Sequence, residues 1–301
     1  MATSARVEPA RRQREIGQRT RRRISLAVKL TVAIIMIVIA IFPVLFVVSA
    51  SLNPVNSLVG QGLFPARITF DNFARLFNNP LVPFPRWILN SVIVAGSSAV
   101  ITVALTALAA YSFSRFRYRG RRAGLIGLVV IQLFPNLLAI VALFLLLQSI
   151  GSVVPFLGLN SLGGLILVYS GGALGFNTWL MKAYFDTVPY DLDESALVDG
   201  ASYFQAFRQV LLPLVRPILA VIAILTFIGT YSDFLLARVL LTSTENYTLA
   251  VGLALFIQGE YARQWGVFAA AALIGALPIM ITFLLLQRQL IGGLALGGVK
   301  G

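Results

Sequence analysis

Long apolar stretches separated by short charged or turn-forming segments organise this chain, and a bilayer-spanning helix needs roughly 20 consecutive, mostly apolar residues. Leu30 to Ala50 are 21 uncharged residues bounded by Lys29 and the polar Asn53-Pro54 turn, which is room for one span at 30–50. Trp87 to Ser114 are 28 more, lying between Arg86 and Arg115, and predict a second at 87–113. Ala123 to Met181 run for 59 residues without a charge, too long for one helix. Gly151, Pro155, Gly158 and Asn160 divide that run into spans at about 124–148 and 163–182. A fifth, about 210–232, carries Arg216 near its start, and a sixth covers 265–287. The pattern predicts an all-α polytopic membrane protein with six transmembrane helices. Pro43, Pro135, Pro213, Pro217 and Pro278 lie in or beside these spans and predict kinks, which membrane helices tolerate when packed against neighbours.

Composition sharpens this. Of 301 residues 58% are hydrophobic and 12% charged, against about 45–50% and about 25% in soluble domains, which excludes a soluble enzyme. The chain has no His and no Cys, so imidazole bases, thiol nucleophiles, disulfides and the usual zinc and iron–sulfur ligand sets are absent. Its net charge of +13 is distributed unevenly. Nine basic residues precede the first span (Arg6, Arg11, Arg12, Arg14, Arg19, Arg21, Arg22, Arg23, Lys29), and five lie in Arg115–Arg122. Only Arg67, Arg75 and Arg86 separate spans one and two, and no basic residue separates spans three and four. Because Lys and Arg concentrate in cytoplasmic loops, both termini are expected in the cytoplasm, residues 1–29 as a basic tail and 291–301 as a second tail. The N-terminal arginines read as topology signals touching membrane lipid, and no nucleic acid is implied. The first apolar stretch exceeds the roughly 7–15 residues of a signal-peptide core, so it reads as an uncleaved helix.

One segment, 189–213, is not membrane. Asp186, Asp191, Asp193, Glu194 and Asp199 make it acidic within a basic protein. Asp191 with Glu194 three residues on predicts a capping box, and Gly200 a left-handed stop. Ser202 with Gln205 predicts the cap of a second helix, presenting Tyr203, Phe204, Phe207 and Leu211 and running into Pro213. An acidic amphipathic surface suits a protein partner better than lipid.

Glu194-Ser195-Ala196, then three residues, Gly200, then nine residues, Val210-Leu211-Leu212-Pro213 resembles the EAA loop of bacterial ABC importer permeases, with Ser195 and Val210 as conservative departures. The resemblance covers nearly the whole chain and is closest to MalG-type permeases of maltose and maltodextrin importers. Tyr111-Ser112-Phe113-Ser114-Arg115-Phe116, Gln132-Leu133-Phe134-Pro135, Pro155-Phe156-Leu157-Gly158-Leu159-Asn160, Tyr247-Thr248-Leu249-Ala250-Val251-Gly252 and the C-terminal Gly297-Gly298-Val299-Lys300-Gly301 carry it.

That resemblance implies a MetI-like, type I importer bundle over residues 30–290 and a permease with no enzymatic activity or bound cofactor of its own. The three lysines, Lys29, Lys182 and Lys300, sit in no phosphate-cradling loop, so ATP and Mg²⁺ belong on a partner. Implied partners are a second, MalF-like permease, two copies of a MalK-like ATPase and an extracytoplasmic sugar-binding protein. Glu194, Ser195, Ala196, Asp199, Gly200 and Pro213 would couple to the ATPase, and Gly298, Val299, Lys300 and Gly301 would contact it through the tail. A loop tip at Gln258, Gly259, Glu260 and Tyr261 would meet the binding protein. Gln132, Asn136, Asn177, Trp179 and Tyr231 are candidate sugar contacts, although helix packing or an interfacial aromatic is the stronger reading of each. Trehalose and other sugars are alternative cargoes. An ion-coupled carrier is disfavoured because its usual embedded acids are missing from the apolar stretches.

Overall fold

The computed structural model describes residues 7–55, 62–65, 67–258 and 264–297, and the side chains of 24–55, 62–65, 67–135, 138–258 and 264–289. Every regular element among the described residues is helical. Helix α1 (Val7–Ser51) runs 45 residues without interruption, Pro43 included. At 1.5 Å per residue that is about 68 Å, over twice a hydrocarbon core of about 30 Å, so the basic half projects beyond the membrane. From Ile24 to Phe42 its apolar side chains face outward, as suits lipid. Its far end is fixed by α2 (Asp71–Asn78), where the buried Asn72 amide donates to the carbonyls of Ser51 and Asn53 at 2.9 and 2.8 Å.

Helix α3 (Phe84–Arg115) is central. Its inward seam of Ser91, Ala95, Ser98, Ala99, Thr102, Thr106, Ala107 and Ala110 is small at three- and four-residue intervals, which lets helix backbones approach closely without a large side chain between them. Helices α4 (Arg121–Ile131) and α5 (Asn136–Gly151) follow, then α6 (Leu162–Phe185), the principal neighbour of α3. After the short α7 (Asp191–Val198) and α8 (Tyr203–Leu214) comes α9 (Arg216–Ser232), packed on α3 and on the final long helix. The short α10 (Leu235–Leu240) and α11 (Leu249–Ala254) precede that helix, α12 (Trp265–Gly297), which also packs against α1.

Two apolar clusters occupy opposite ends of α3. One gathers Phe84, Trp87, Val94, Leu165, Leu240, Leu249 and Phe256. The other gathers Ala107, Ala110, Tyr111, Met181, Phe185, Phe207, Leu211 and Ile222. The first is tied by polar bonds between distant segments: Trp87 Nε1 donates to the Thr244 carbonyl at 2.8 Å. Asn160, with φ 54°, accepts on Oδ1 from the backbone N–H of Thr242 and Ser243, both at 3.0 Å.

Four helices among the described residues are long and apolar enough to cross a membrane: Ile24–Ser51, Phe84–Arg115, Leu162–Phe185 and Trp265–Gln289. Two expected spans take a different form. The stretch at 124–148 is broken between Ile131 and Asn136, because Pro135 lacks an N–H and sits extended at φ −61°, ψ 116°. The stretch at 210–232 starts inside α8 and turns by 78° into α9 at Val215, between Pro213 and Pro217.

Candidate coupling site

The acidic segment is built on the cluster around Tyr111. Helix α6 ends at Phe185, a turn follows, and α7 lies beside the end of α3. The expected Asp191 capping box is absent: the N-cap position is Tyr190, in helical geometry (φ −64°, ψ −30°), with no side-chain cap. The cause is tertiary. The Tyr190 hydroxyl donates to the Ser114 carbonyl at 2.9 Å and its ring lies 4.3 Å beneath the Arg115 guanidinium, so the helix begins one residue earlier and Asp191 becomes its first residue.

Arg115 is the hub. It forms an ion pair with Asp193 in which the two side chains are only 4% and 9% exposed. It also donates to the Val188 carbonyl at 2.9 Å and to Ser114 Oγ at 3.3 Å. Ser114 Oγ donates to Asp186 at 2.7 Å, and Asp186 pairs with Lys182 one turn back on α6. Neither oxygen of Asp193 has a well-angled hydrogen-bond donor among the described residues, so the guanidinium alone meets its charge. Three segments, the ends of α3 and α6 and the body of α7, are thereby locked together. Sequence reading missed this hub because Arg115 has a sufficient local explanation as a loop charge, and Asp193 as a member of an acidic surface.

With Asp193 turned inward, α7 presents Asp191, Leu192, Glu194, Ser195, Val198 and Asp199 outward, with Ala196 half-buried. Val198 is 87% exposed. Ser195 Oγ returns a bond to the Asp191 carbonyl at 2.7 Å, which spends its polarity within the helix. Gly200 takes φ 86°, the left-handed stop expected of it, and its N–H donates to the Leu197 carbonyl at 3.1 Å.

The second capping box forms as expected: Ser202 Oγ accepts from the Gln205 N–H at 3.3 Å and the Gln205 side chain accepts from the Ser202 N–H at 2.7 Å. The apolar face that follows is split. Phe207 and Leu211 are buried, the former against Tyr111 with ring centroids 4.8 Å apart. Tyr203 and Phe204 stay exposed, Tyr203 edge-on to Phe116 with its carbonyl accepting from the Tyr111 hydroxyl at 3.1 Å. Residues Ala206–Leu211 wind as a π-helical turn, whose extra residue per turn shifts the faces from a 3.6-residue register. Pro213 lies at the far end of α8, just before the bend.

The other expected sites are dispersed. Gln258 is exposed beyond α11, and Gly259, Glu260 and Tyr261 lie outside the described residues, as do Gly298, Val299, Lys300 and Gly301. Of the candidate sugar contacts, Asn177 is buried and Tyr231 is buried with its hydroxyl donating to the Gly275 carbonyl at 2.8 Å. Gln132 and Trp179 are exposed, and the Asn136 side chain lies outside the described ones.

A family model described as "Binding-protein-dependent transport system inner membrane component" matches residues 102–291, which contain the whole of this site. The maltose/maltodextrin transport system permease protein MalG of Photorhabdus laumondii is 44% identical over 276 residues, 88% of this chain and 92% of that protein. MalG of Escherichia coli strain K12 is 44% identical over 271 residues, 86% of this chain and 90% of that protein. In fold, the chain resembles a bacterial ABC transporter involved in the import of the acidic polysaccharide alginate, with a TM-score of 0.74 at 24% identity, covering 88% of this chain and 96% of the other. A bacterial alginate ABC transporter in complex with an alginate pentasaccharide-bound periplasmic protein gives 0.64 at 20% identity, covering 89% and 94%.

Proposed function

The chain belongs to the binding-protein-dependent transport system inner membrane component family, and on that footing we propose that it is a permease subunit of an ATP-driven ABC importer that moves maltose- and maltodextrin-type oligosaccharides across the cytoplasmic membrane. ATP hydrolysis is the work of a separate ATPase, and a partner permease and a substrate-binding protein complete the system. In the finer reading, the ATPase is present in two MalK-like copies that hold the ATP and Mg²⁺, and the partner permease is MalF-like. Both termini are cytoplasmic, the tail residues Gly298 to Gly301 reach the ATPase, and the loop around Gln258 to Tyr261 meets the binding protein.

The observation that carries the coupling role is the two-sidedness of α7, which holds an inward Asp193 on Arg115 and an outward Glu194 and Val198 left exposed among the described residues. An anchored helix with an exposed acidic and apolar face can pass a push from a docked protein to the ends of α3 and α6, where a flexible loop would absorb it. Glu194 supplies the charge of that face, Ser195 and Ala196 keep it shallow, Asp199 and Gly200 end it, and Pro213 marks the join to α9.

The test is uptake of labelled maltose by cells carrying Glu194→Lys or Gly200→Asp in this chain, with insertion and abundance checked by immunoblot. The expected result is loss of uptake at normal abundance, with less ATPase retained in a mild-detergent pull-down. Wild-type uptake by both variants would refute the coupling role. Normal coupling with trehalose, and none with maltose, would move the cargo and leave the class intact.

A further inference from the structure

Helices α4 and α6 touch at Leu128 and Gly175, so closely that a Cβ added at Gly175 would fall 2.4 Å from the Leu128 carbonyl oxygen. Arg121 lies seven residues from Leu128, and Lys182 seven from Gly175, which puts each about 10 Å from the contact. Both line one cavity of about 830 Å³, so they stand on the same side of that contact and the helices part toward them. Tyr118 and Arg122 share the rim, and Leu125 and Ile126 form the wall one turn deeper on α4.

The rim is cationic. Among the described residues Arg121 and Arg122 have no ion-pair partner, while Lys182 shares its charge with Asp186. Arg121 reaches the Phe116 carbonyl, at 3.4 Å. Gly120, also in the wall, is the N-cap of α4 and offers no side-chain cap, so the first N–H groups of that helix add donors to the same rim. No acid among the described residues lines the cavity. Tyr118 leans on Phe113 with ring centroids 6.2 Å apart, an amphipathic ring of the kind that sits at the level of lipid headgroups.

A cationic rim over an apolar wall calls for an occupant with an anionic head and an apolar tail. The wedge runs about 10 Å before it closes at Gly175, and a helix of another subunit, itself about 10 Å across and crossing the whole membrane, does not fit beneath that closure. An acidic side chain of a docked protein can meet the arginines but leaves Leu125 and Ile126 uncovered. A phosphate headgroup with the first carbons of its chains satisfies both parts. On the permease reading above, this end faces the cytoplasmic leaflet, where anionic lipids concentrate and basic pockets between helices bind their headgroups.

We infer that the cleft between α4 and α6 is a binding site for an anionic phospholipid, with Arg121 and Arg122 on the phosphate, Tyr118 beside it and an acyl chain along Leu125 and Ile126. The assignment to the cytoplasmic leaflet rests on the permease reading. The cleft and its charge do not.

The test places the assembled transporter in phosphatidylcholine nanodiscs containing a small share of phosphatidylglycerol with a photoreactive diazirine early in one acyl chain. After irradiation, lipid adducts on this chain are mapped by peptide mass spectrometry. Adducts should gather on residues 118–126, about tenfold above those left by the same probe with a phosphatidylcholine headgroup. Each basic residue near an anionic surface is worth roughly fivefold in affinity, so Arg121→Gln with Arg122→Gln should lower labelling roughly 25-fold. Arg117→Gln with Arg119→Gln removes the same charge from the same loop outside the cavity and should change little. Ile126→Trp keeps both charges but fills the place of the chain, so it too should lower labelling, and it preserves the test if the double variant fails to assemble. Equal labelling by the neutral probe would overturn the proposal, showing ordinary surrounding lipid. An equal drop in the two double variants would overturn it as well, showing a diffuse surface charge. Displacement by inorganic phosphate, with Ile126→Trp without effect, would overturn the lipid and leave a site for soluble phosphate. Labelling that appears only once the ATPase is stripped away would overturn it in favour of a protein-docking face. Selective labelling in a transporter that imports no maltose would support the lipid site and remove the cargo reading alone.

Discussion

Removing the Asp193 carboxylate should strand a buried charge at the end of α3. In Asp193→Ala the Arg115 side chain, 4% exposed, loses its only ion-pair partner among the described residues. Breaking one side of a buried pair costs about 3–5 kcal/mol, and the value should fall near the low end here. Arg115 keeps its 2.9 Å bond to the Val188 carbonyl and its place 4.3 Å above the Tyr190 ring, so part of its hydrogen-bonding and cation–π surroundings survives. A loss of about 3 kcal/mol corresponds to roughly a 150-fold shift between the docked and released states of α7. Eight residues of helix have little else to hold them, since an isolated helix this short is unstable in water.

Hydrogen–deuterium exchange on the purified transporter reads that shift. Amides of residues 191–200 should exchange about two orders of magnitude faster in Asp193→Ala, while the middle of α3 around Ser98 keeps its protection. Uptake should fall further than ATPase activity, because a lever that has come loose wastes strokes. The double variant Arg115→Met with Asp193→Leu removes both charges, and a buried pair replaced by apolar groups of similar size is roughly neutral. It should restore most of the exchange protection. Unchanged exchange in Asp193→Ala would refute the anchoring role, and a double variant as loose as the single one would show that shape and not charge holds α7.

Two further expectations concern single backbone positions. At Gly200 a Cβ would meet nothing within 4 Å, so the penalty of φ 86° is purely conformational: Gly200→Ala should cost about 1–2 kcal/mol, Gly200→Asn less and Gly200→Val more, a ranking measurable in sugar uptake at equal abundance. Asn160→Ala should lower the melting temperature of the detergent-purified complex, because it unpairs the N–H groups of Thr242 and Ser243 and strains φ 54° at once. Asn160→Gly relieves the strain but not the lost bonds, so it should recover only part of that loss; recovery to the wild-type value would show that the side-chain bonds contribute nothing.

Hydropathy revealed the long helices because a charge-free run of 20 or more residues has few alternatives to crossing a bilayer. It did not reveal the interruption at Gln132–Pro135. In a run with no charge to mark depth, Pro135 reads as a kink, and whether a proline kinks or breaks a helix depends on what receives the freed carbonyls. The Ser202–Gln205 box and the Gly200 stop were legible because each is satisfied within four residues of chain. The Asp191 cap failed for the complementary reason: Tyr190 is fixed by Ser114 and Arg115, more than 70 residues away, and a local preference worth about 1 kcal/mol yields to that packing.

The same distinction explains why the outward half of the coupling surface could be read and its anchor could not. Glu194 and Gly200 act through a spacing along one segment, which a sequence displays. Arg115 and Asp193 act through a meeting of segments 78 residues apart, and each is locally unremarkable: an arginine closing an apolar stretch, an aspartate among other acids. Five acidic residues lie between Asp186 and Asp199, and all would serve equally to make a surface acidic. They are not equivalent in the fold, since Asp193 alone among the α7 acids is buried while Asp191 and Glu194 are exposed. Residues 193 and 194, three and four positions on from Tyr190, both return to its side of the helix, one to either side of it, while residue 191 turns away. Arg115, whose guanidinium lies over the Tyr190 ring, pairs with the first of them and leaves Glu194 exposed. The side on which the arginine meets the helix therefore decides which acid anchors it and which are left to meet a partner.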